Sequence, residues 1–174
     1  YTIPIKAPAG RAGVNPPVAL SYSSNNMMEG PVGVGWAVSG MSSISRCPPT
    51  PIHDDAIQAV QYNDQDKLCL DGRRLILTEG TYLAHDSVYR FEVDDFSEIT
   101  ARGGSSTNGP QYFELHNKAG ETHYYGNSST ISFMFYDHSD AFIEPGGMAA
   151  GVKAKTWMLK VVADIKRNFI LYNY

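Results

Sequence analysis

The chain has 174 residues, 43% of them apolar, and a formal net charge of −4. That is enough apolar material for a core, which excludes a disordered chain, and the mild acidity gives no basic footprint for nucleic acid or an anionic membrane. No apolar run reaches the roughly eighteen residues of a membrane-spanning helix, and eleven Tyr with 16 Gly and 10 Pro favour strands and tight turns.

Thr2 to Lys6 reads as an edge strand, because Pro4 cannot donate to a ladder. Ala7 to Pro17 is a loop. Val18, Leu20 and Tyr22 alternate with small or polar residues, as on a half-buried strand. Next comes Gly30-Pro31-Val32-Gly33-Val34-Gly35-Trp36-Ala37-Val38-Ser39-Gly40, the densest glycine cluster in the chain. If extended, it places Val34, Trp36 and Val38 on one face, while Gly33 and Gly35 permit bends or close backbone approach. Trp36 is therefore expected to be an aromatic anchor with neighbouring strands folded over it. If its ring is buried, Trp36→Ala should cost about 3–5 kcal/mol.

Met41 to Cys47 continues extended and stops at Pro48-Pro49. A loop follows to Gln58, with one helical turn expected near Asp54 to Ile57. The clearest hairpin comes next, where Asp71-Gly72 gives a type I′ turn signal between Leu68-Cys69-Leu70 and Arg73 to Leu77. A two-residue loop pairs Leu70 with Arg73 and Leu68 with Leu75. Leu68, Leu70, Leu75 and Leu77 then share one face, and Cys69, Arg74 and Ile76 the other. Short strands are expected at Tyr82, Val88–Val93 and Glu98–Ala101. Asn117 to Gly120 turns a second hairpin between Tyr112–Leu115 and Thr122–Tyr125. Ile131, Phe133 and Phe135 alternate as on a strand, and Asp137 to Gly151 is irregular. Lys153 to Lys166 fits either period. The β-branched Val161-Val162 favours a strand carrying Trp157, Leu159, Val161 and Ile165 on one face. The last strand runs from Phe169 to Tyr174.

About a dozen short strands at this spacing predict an all-β fold with little helix: a sandwich, a barrel or a propeller-like sheet stack. The chain lacks an initiator Met and a signal-peptide pattern, and both ends fall inside strand-like segments. It is read as one β-rich module, residues 1–174, from a longer protein.

Catalytic chemistry is not legible. The Gly30–Gly35 cluster has neither GxGxxG nor GK[ST], so it reads as backbone packing rather than a phosphate loop. Asn63-Asp64-Gln65-Asp66 opens like a calcium loop, but Leu68 stands at the next ligand position and no closing Glu follows. The five histidines show no metal-ligand spacing, and no serine sits in a nucleophile elbow. No enzyme, cofactor or metal is expected. Tyr112, Tyr124, Tyr125, Tyr136 and Trp157 could form a sugar-binding platform, or serve as core and cross-strand packing. Cys47 and Cys69 are either a disulfide or two buried thiols.

Several segments in order resemble a known family. Ile3-Pro4-Ile5 precedes Leu20-Ser21-Tyr22-Ser23-Ser24, then Gly30 to Trp36, Ser43-Ile44-Ser45-Arg46-Cys47-Pro48 and Lys67 to Leu75. Trp157-Met158-Leu159, Asp164, Asn168 and Tyr172-Asn173-Tyr174 close the series. The series resembles the N-terminal domain of the Salmonella virulence plasmid B protein family, a module shared with toxin-complex B components and Rhs/YD-repeat toxins. One departure is Arg167, where the family often has Gly before the Asn. The resemblance implies a non-enzymatic structural module of a secreted toxin, part of a β-rich shell that houses or delivers a toxic C-terminal segment. It implies a Cys47–Cys69 disulfide, and structural roles for Trp36, Gly33, Gly35, Asp71, Gly72 and Trp157. The expected partners are other domains of the same polypeptide or toxin-complex subunits. The alternative is a carbohydrate- or cell-surface-binding module with a surface glycan as partner.

Overall fold

The computed structural model describes residues 1–8, 10, 15–25, 29–30, 32–63, 65–104, 109–126, 143–146 and 153–173. Three short strands, β1 (Thr2–Pro4), β2 (Ala19–Tyr22) and β5 (Trp36–Ser39), form a small antiparallel sheet in the order β1-β2-β5. Between β2 and β5, β3 (Glu29–Gly30) and β4 (Gly33–Val34) pair as a separate two-stranded ribbon. One helical turn, α1 (Pro51–Asp54), starts with Pro at its first position and ends on Asp55 at φ 51°. It lies three residues before its expected place.

The rest is a meander: β6 (Ser43–Cys47), β7 (Lys67–Leu70), β8 (Arg73–Glu79), β9 (Val88–Phe91), β10 (Glu98–Arg102), β11 (Tyr112–His116) and β12 (Thr122–Gly126). Each strand pairs with the next. The long β14 (Lys153–Ala163) joins the two edges, with Trp157 opposite Ile44 of β6 and Leu159 opposite Tyr125 of β12. These eight strands are a closed antiparallel barrel. Closure removes the unpaired edges that an open eight-stranded sheet would expose. Short strands β13 (Ile143–Gly146) and β15 (Phe169–Leu171) continue the pairing along β14.

The turns explain the order. Asp71 (φ 50°) and Gly72 (φ 80°) both take the left-handed conformation a type I′ turn requires. The register is Leu70 opposite Arg73 and Leu68 opposite Leu75, as the two-residue loop predicts. At the second hairpin Gly120 has φ 82°, and Asn117 Oδ1 accepts from the amides of Ala119 and Glu121. Tyr82, expected on a strand, sits in a turn instead. Ile131, Phe133 and Phe135 lie outside the described residues.

The core fills the barrel. Ile44, Leu68, Leu75, Tyr89, Ile99, Phe113, Tyr125, Trp157 and Leu159 are all buried in one cluster. The β14 alternation breaks at Lys160. Tyr125 faces Leu159 while Tyr124 faces Val161, so Lys160 is the extra residue of a bulge. Beyond it Val161 changes side and packs with Tyr112, Tyr124 and Leu171. The single face expected for Trp157, Leu159 and Val161 is therefore split.

Trp36 is not the centre of this core. Its strand breaks at Gly35, which puts Val34 in the ribbon and leaves it 58% exposed. Trp36 is half-buried and packs against Tyr22 (ring centroids 5.3 Å apart) and Tyr1 (6.4 Å) on the small sheet. The glycine expectation fares better. A Cβ on Gly35 would lie 2.6 Å from the Tyr22 ring, and its φ is 78°, so no other residue fits without a shift. Because Trp36 anchors a three-stranded sheet and keeps part of its surface in water, Trp36→Ala should cost about 1–2 kcal/mol by area bookkeeping. Urea unfolding would check this, and a loss as large as that of a core tryptophan would contradict the placement.

Arg167 closes the turn between β14 and β15. Asp164 Oδ1 accepts from the amides of Lys166 and Asn168, and Oδ2 accepts from Asn168 Nδ2. These bonds hold Arg167 at φ 63°, the left-handed region glycine tolerates freely. The departure from the family pattern thus keeps the turn and adds strain. Arg167→Gly should raise the unfolding free energy by about 1 kcal/mol, the relief being partly offset by a looser unfolded chain. Thermal denaturation of the variant measures it.

Candidate functional site

The two ends of the barrel differ. One is plugged. Ile44 and Arg46 share a strand face, so the phase that buries Ile44 also buries Arg46. Arg46 Nε donates to the Ala154 carbonyl (2.9 Å), and Nη1 reaches the Asn63 carbonyl (3.1 Å) and Asp66 Oδ2 (3.3 Å). Asp66, fully buried, also accepts from the amides of Gln61 (2.7 Å) and Asn63 (3.2 Å). The failed calcium loop is therefore a carboxylate cradle for an arginine. Sequence reasoning missed the pair, although an Arg in phase with Ile44 was the available signal. Above it Tyr82 donates to the Asp66 carbonyl (2.7 Å) and Tyr89 accepts from the Leu83 amide (2.8 Å). Burial raises both phenol pKa values.

The other end is an open mouth over a cavity of about 830 Å³. Leu70, Phe91, Leu115, Tyr125, Leu159 and Tyr172 form its apolar wall. The Asp71-Gly72 turn hangs its carboxylate over the strand entering β6. Asp71 Oδ1 accepts from the Ser43 amide (2.9 Å) and Oδ2 from the Ser42 hydroxyl (2.6 Å), which also lies 3.0 Å from the Tyr125 hydroxyl. Arg73 stacks 3.6 Å above the Phe91 ring and donates to Asp95 (2.8 Å) and the Val93 carbonyl (3.2 Å). Burial works against ionisation of Asp95, but hydrogen bonds from Arg73 and Ser97 overcome it and hold the carboxyl below its usual value. Across the mouth Glu121 Oε2 takes Asn117 Nδ2 (2.8 Å) and contacts His123 Nε2 (3.3 Å). This rim was not legible in the sequence, because its residues come from turns and strands far apart along the chain.

Cys47 and Cys69 are disulfide-bonded across β6 and β7, with their Cα atoms 5.9 Å apart. On that outer face α1 is clamped by Asp54, which accepts both Arg74 Nη groups (2.6 and 2.7 Å) and pairs with Lys67 (3.3 Å). The Arg74 bonds, then the Thr50 amide, hold the Asp54 carboxyl far below the usual carboxylate range. A carboxylate depressed on folding contributes stability above its unfolded pKa and loses it as pH falls. Stability should therefore decline below about pH 4, and Arg74→Met should flatten that decline in acid titrations followed by circular dichroism.

The aromatic residues do not assemble into one platform. Trp157 and Tyr125 are inside the barrel, Tyr112 and Tyr124 join the outer Val161 cluster, and Tyr136 lies outside the described residues. Among the described residues no three His, Cys, Asp or Glu gather as a metal site would require. Among them, too, no helix is long and apolar enough to cross a membrane.

A closed antiparallel barrel, plugged at one end and carrying a small apolar sheet, defines the class of this module. The chain belongs to the family described as Salmonella virulence plasmid 65kDa B protein, which matches residues 1–174. Its structure is similar to that of the N-terminal domain of effector protein SpvB from Salmonella typhimurium strain LT2, with a TM-score of 0.69 at 23% identity. The likeness covers 100% of this chain and 53% of that chain, so this module spans about half the length of that relative. No curated protein matches.

Proposed function

We propose that this module is a non-enzymatic structural part of a secreted virulence protein, and that it helps build a β-rich shell around a toxic segment elsewhere in the polypeptide. The observation that carries the reading is the small sheet beside the barrel. Tyr1 (82% exposed), Ile3, Ile5 (47%) and Tyr22 leave more apolar surface in water than scattered single residues do. The barrel is complete without that surface, so the sheet is free to dock on other domains of the same polypeptide or on toxin-complex subunits. Membership of a virulence-protein family supports secretion and the toxin context.

The test uses the full reading frame with and without residues 1–174. Removing the module should expose the segment after it to limited proteolysis and make the protein toxic to the cell producing it. A reading frame with neither YD repeats nor a toxic segment, or unchanged protease protection after removal, overturns the proposal.

A further inference from the structure

The barrel mouth has the composition of a ligand site. Its volume falls within the roughly 300–1,000 Å³ of small-molecule pockets, and barrel mouths are a recurrent place for them. The rim charges decide what it accepts. Both oxygens of Asp71 and both of Asp95 are taken by protein donors, and Glu121 is engaged by Asn117 and His123. Arg73 is spent on Asp95, the Val93 carbonyl and the Phe91 ring. Lys118, on the turn at the lip, has no ion pair or hydrogen bond with any described residue. Among the described residues it is the uncommitted charge of the rim, and it is positive. The Tyr172 hydroxyl is likewise without a partner among the described residues, while its ring is 9% exposed in the wall.

We infer that the mouth binds a single-chain amphiphile with an anionic head, of the fatty-carboxylate class. The tail lies along Phe91, Leu115 and Tyr172, and the carboxylate sits at Lys118. A cationic head would meet carboxylates that protein donors already engage, Glu121 through its Oε2, and a fully polar ligand would leave the apolar wall wet. The inference does not depend on the shell role.

Titration of the 174-residue chain with 11-(dansylamino)undecanoic acid, followed by dansyl fluorescence, tests it. Saturable 1:1 binding is expected, weakened about fivefold by Lys118→Glu, since an exposed pair is worth little in absolute terms. Ala119→Trp places an indole across the mouth from an exposed turn position, so it should abolish binding with the melting temperature unchanged. The methyl ester of the probe should bind the parent more weakly than the acid, and Lys118→Glu should not affect it. Absence of saturable binding, or binding untouched by Ala119→Trp, overturns the site. Equal affinity for acid and ester overturns the anionic head.

Discussion

Trp157→Ala is expected to lower the unfolding free energy by about 3–5 kcal/mol, the cost of truncating a buried aromatic and leaving its cavity. The indole is fully buried at the junction where β14 closes the barrel, with Phe113 edge-on at 5.1 Å. Its Nε1 donates to the Pro110 carbonyl (2.9 Å), so truncation also strands a buried acceptor. The site cannot collapse easily. A Cβ on Gly126 would stand 2.7 Å from the ring, which shows how closely backbone already presses on it. Phe replacement should cost less, because most of the volume stays while the hydrogen bond goes. Urea unfolding of both variants reads the difference, and near-native stability of the alanine variant would remove Trp157 from the centre of the fold.

Asp66→Ala should be comparably damaging, about 3–5 kcal/mol, because it leaves the Arg46 charge buried without its partner. Two backbone amides, of Gln61 and Asn63, lose their acceptor as well. Arg46→Met should cost less, since the carboxylate keeps those two donors while the methionine stem refills the apolar space. The predicted order is therefore Asp66→Ala well above Arg46→Met. Equal losses would show that the ion pair alone sets the cost. A double-mutant cycle would isolate that pairwise contribution.

The hairpins were the most legible part of the sequence. Asp71-Gly72 dictates a turn with both residues at positive φ, and the two-residue loop then fixes every partner up to Leu68 and Leu75. The all-β class followed from the same local signals. Two things did not. Trp36 and Trp157 look alike as large residues on alternating strands, and only the long-range closure by β14 decides which is enclosed. The bulge at Lys160 was equally hidden, because a one-residue insertion in pairing leaves no mark on periodicity until the partner strand is known. The Arg46–Asp66 plug and the mouth rim are properties of tertiary register, not of any local motif.

β14 also sets the order in which the molecule can be made. Strands β6 to β12 are sequential neighbours and can zip up as they leave the ribosome. The contact that closes them, Arg46 to Ala154, spans 108 residues, and closing so large a loop is slow. Until that last long strand is synthesised, the sheet stays open at both edges and its leucine face stays wet. A nascent chain halted before residue 153 would hold an open sheet, with two unpaired edges and its apolar face uncovered. Arrival of a single strand converts it to a sealed one.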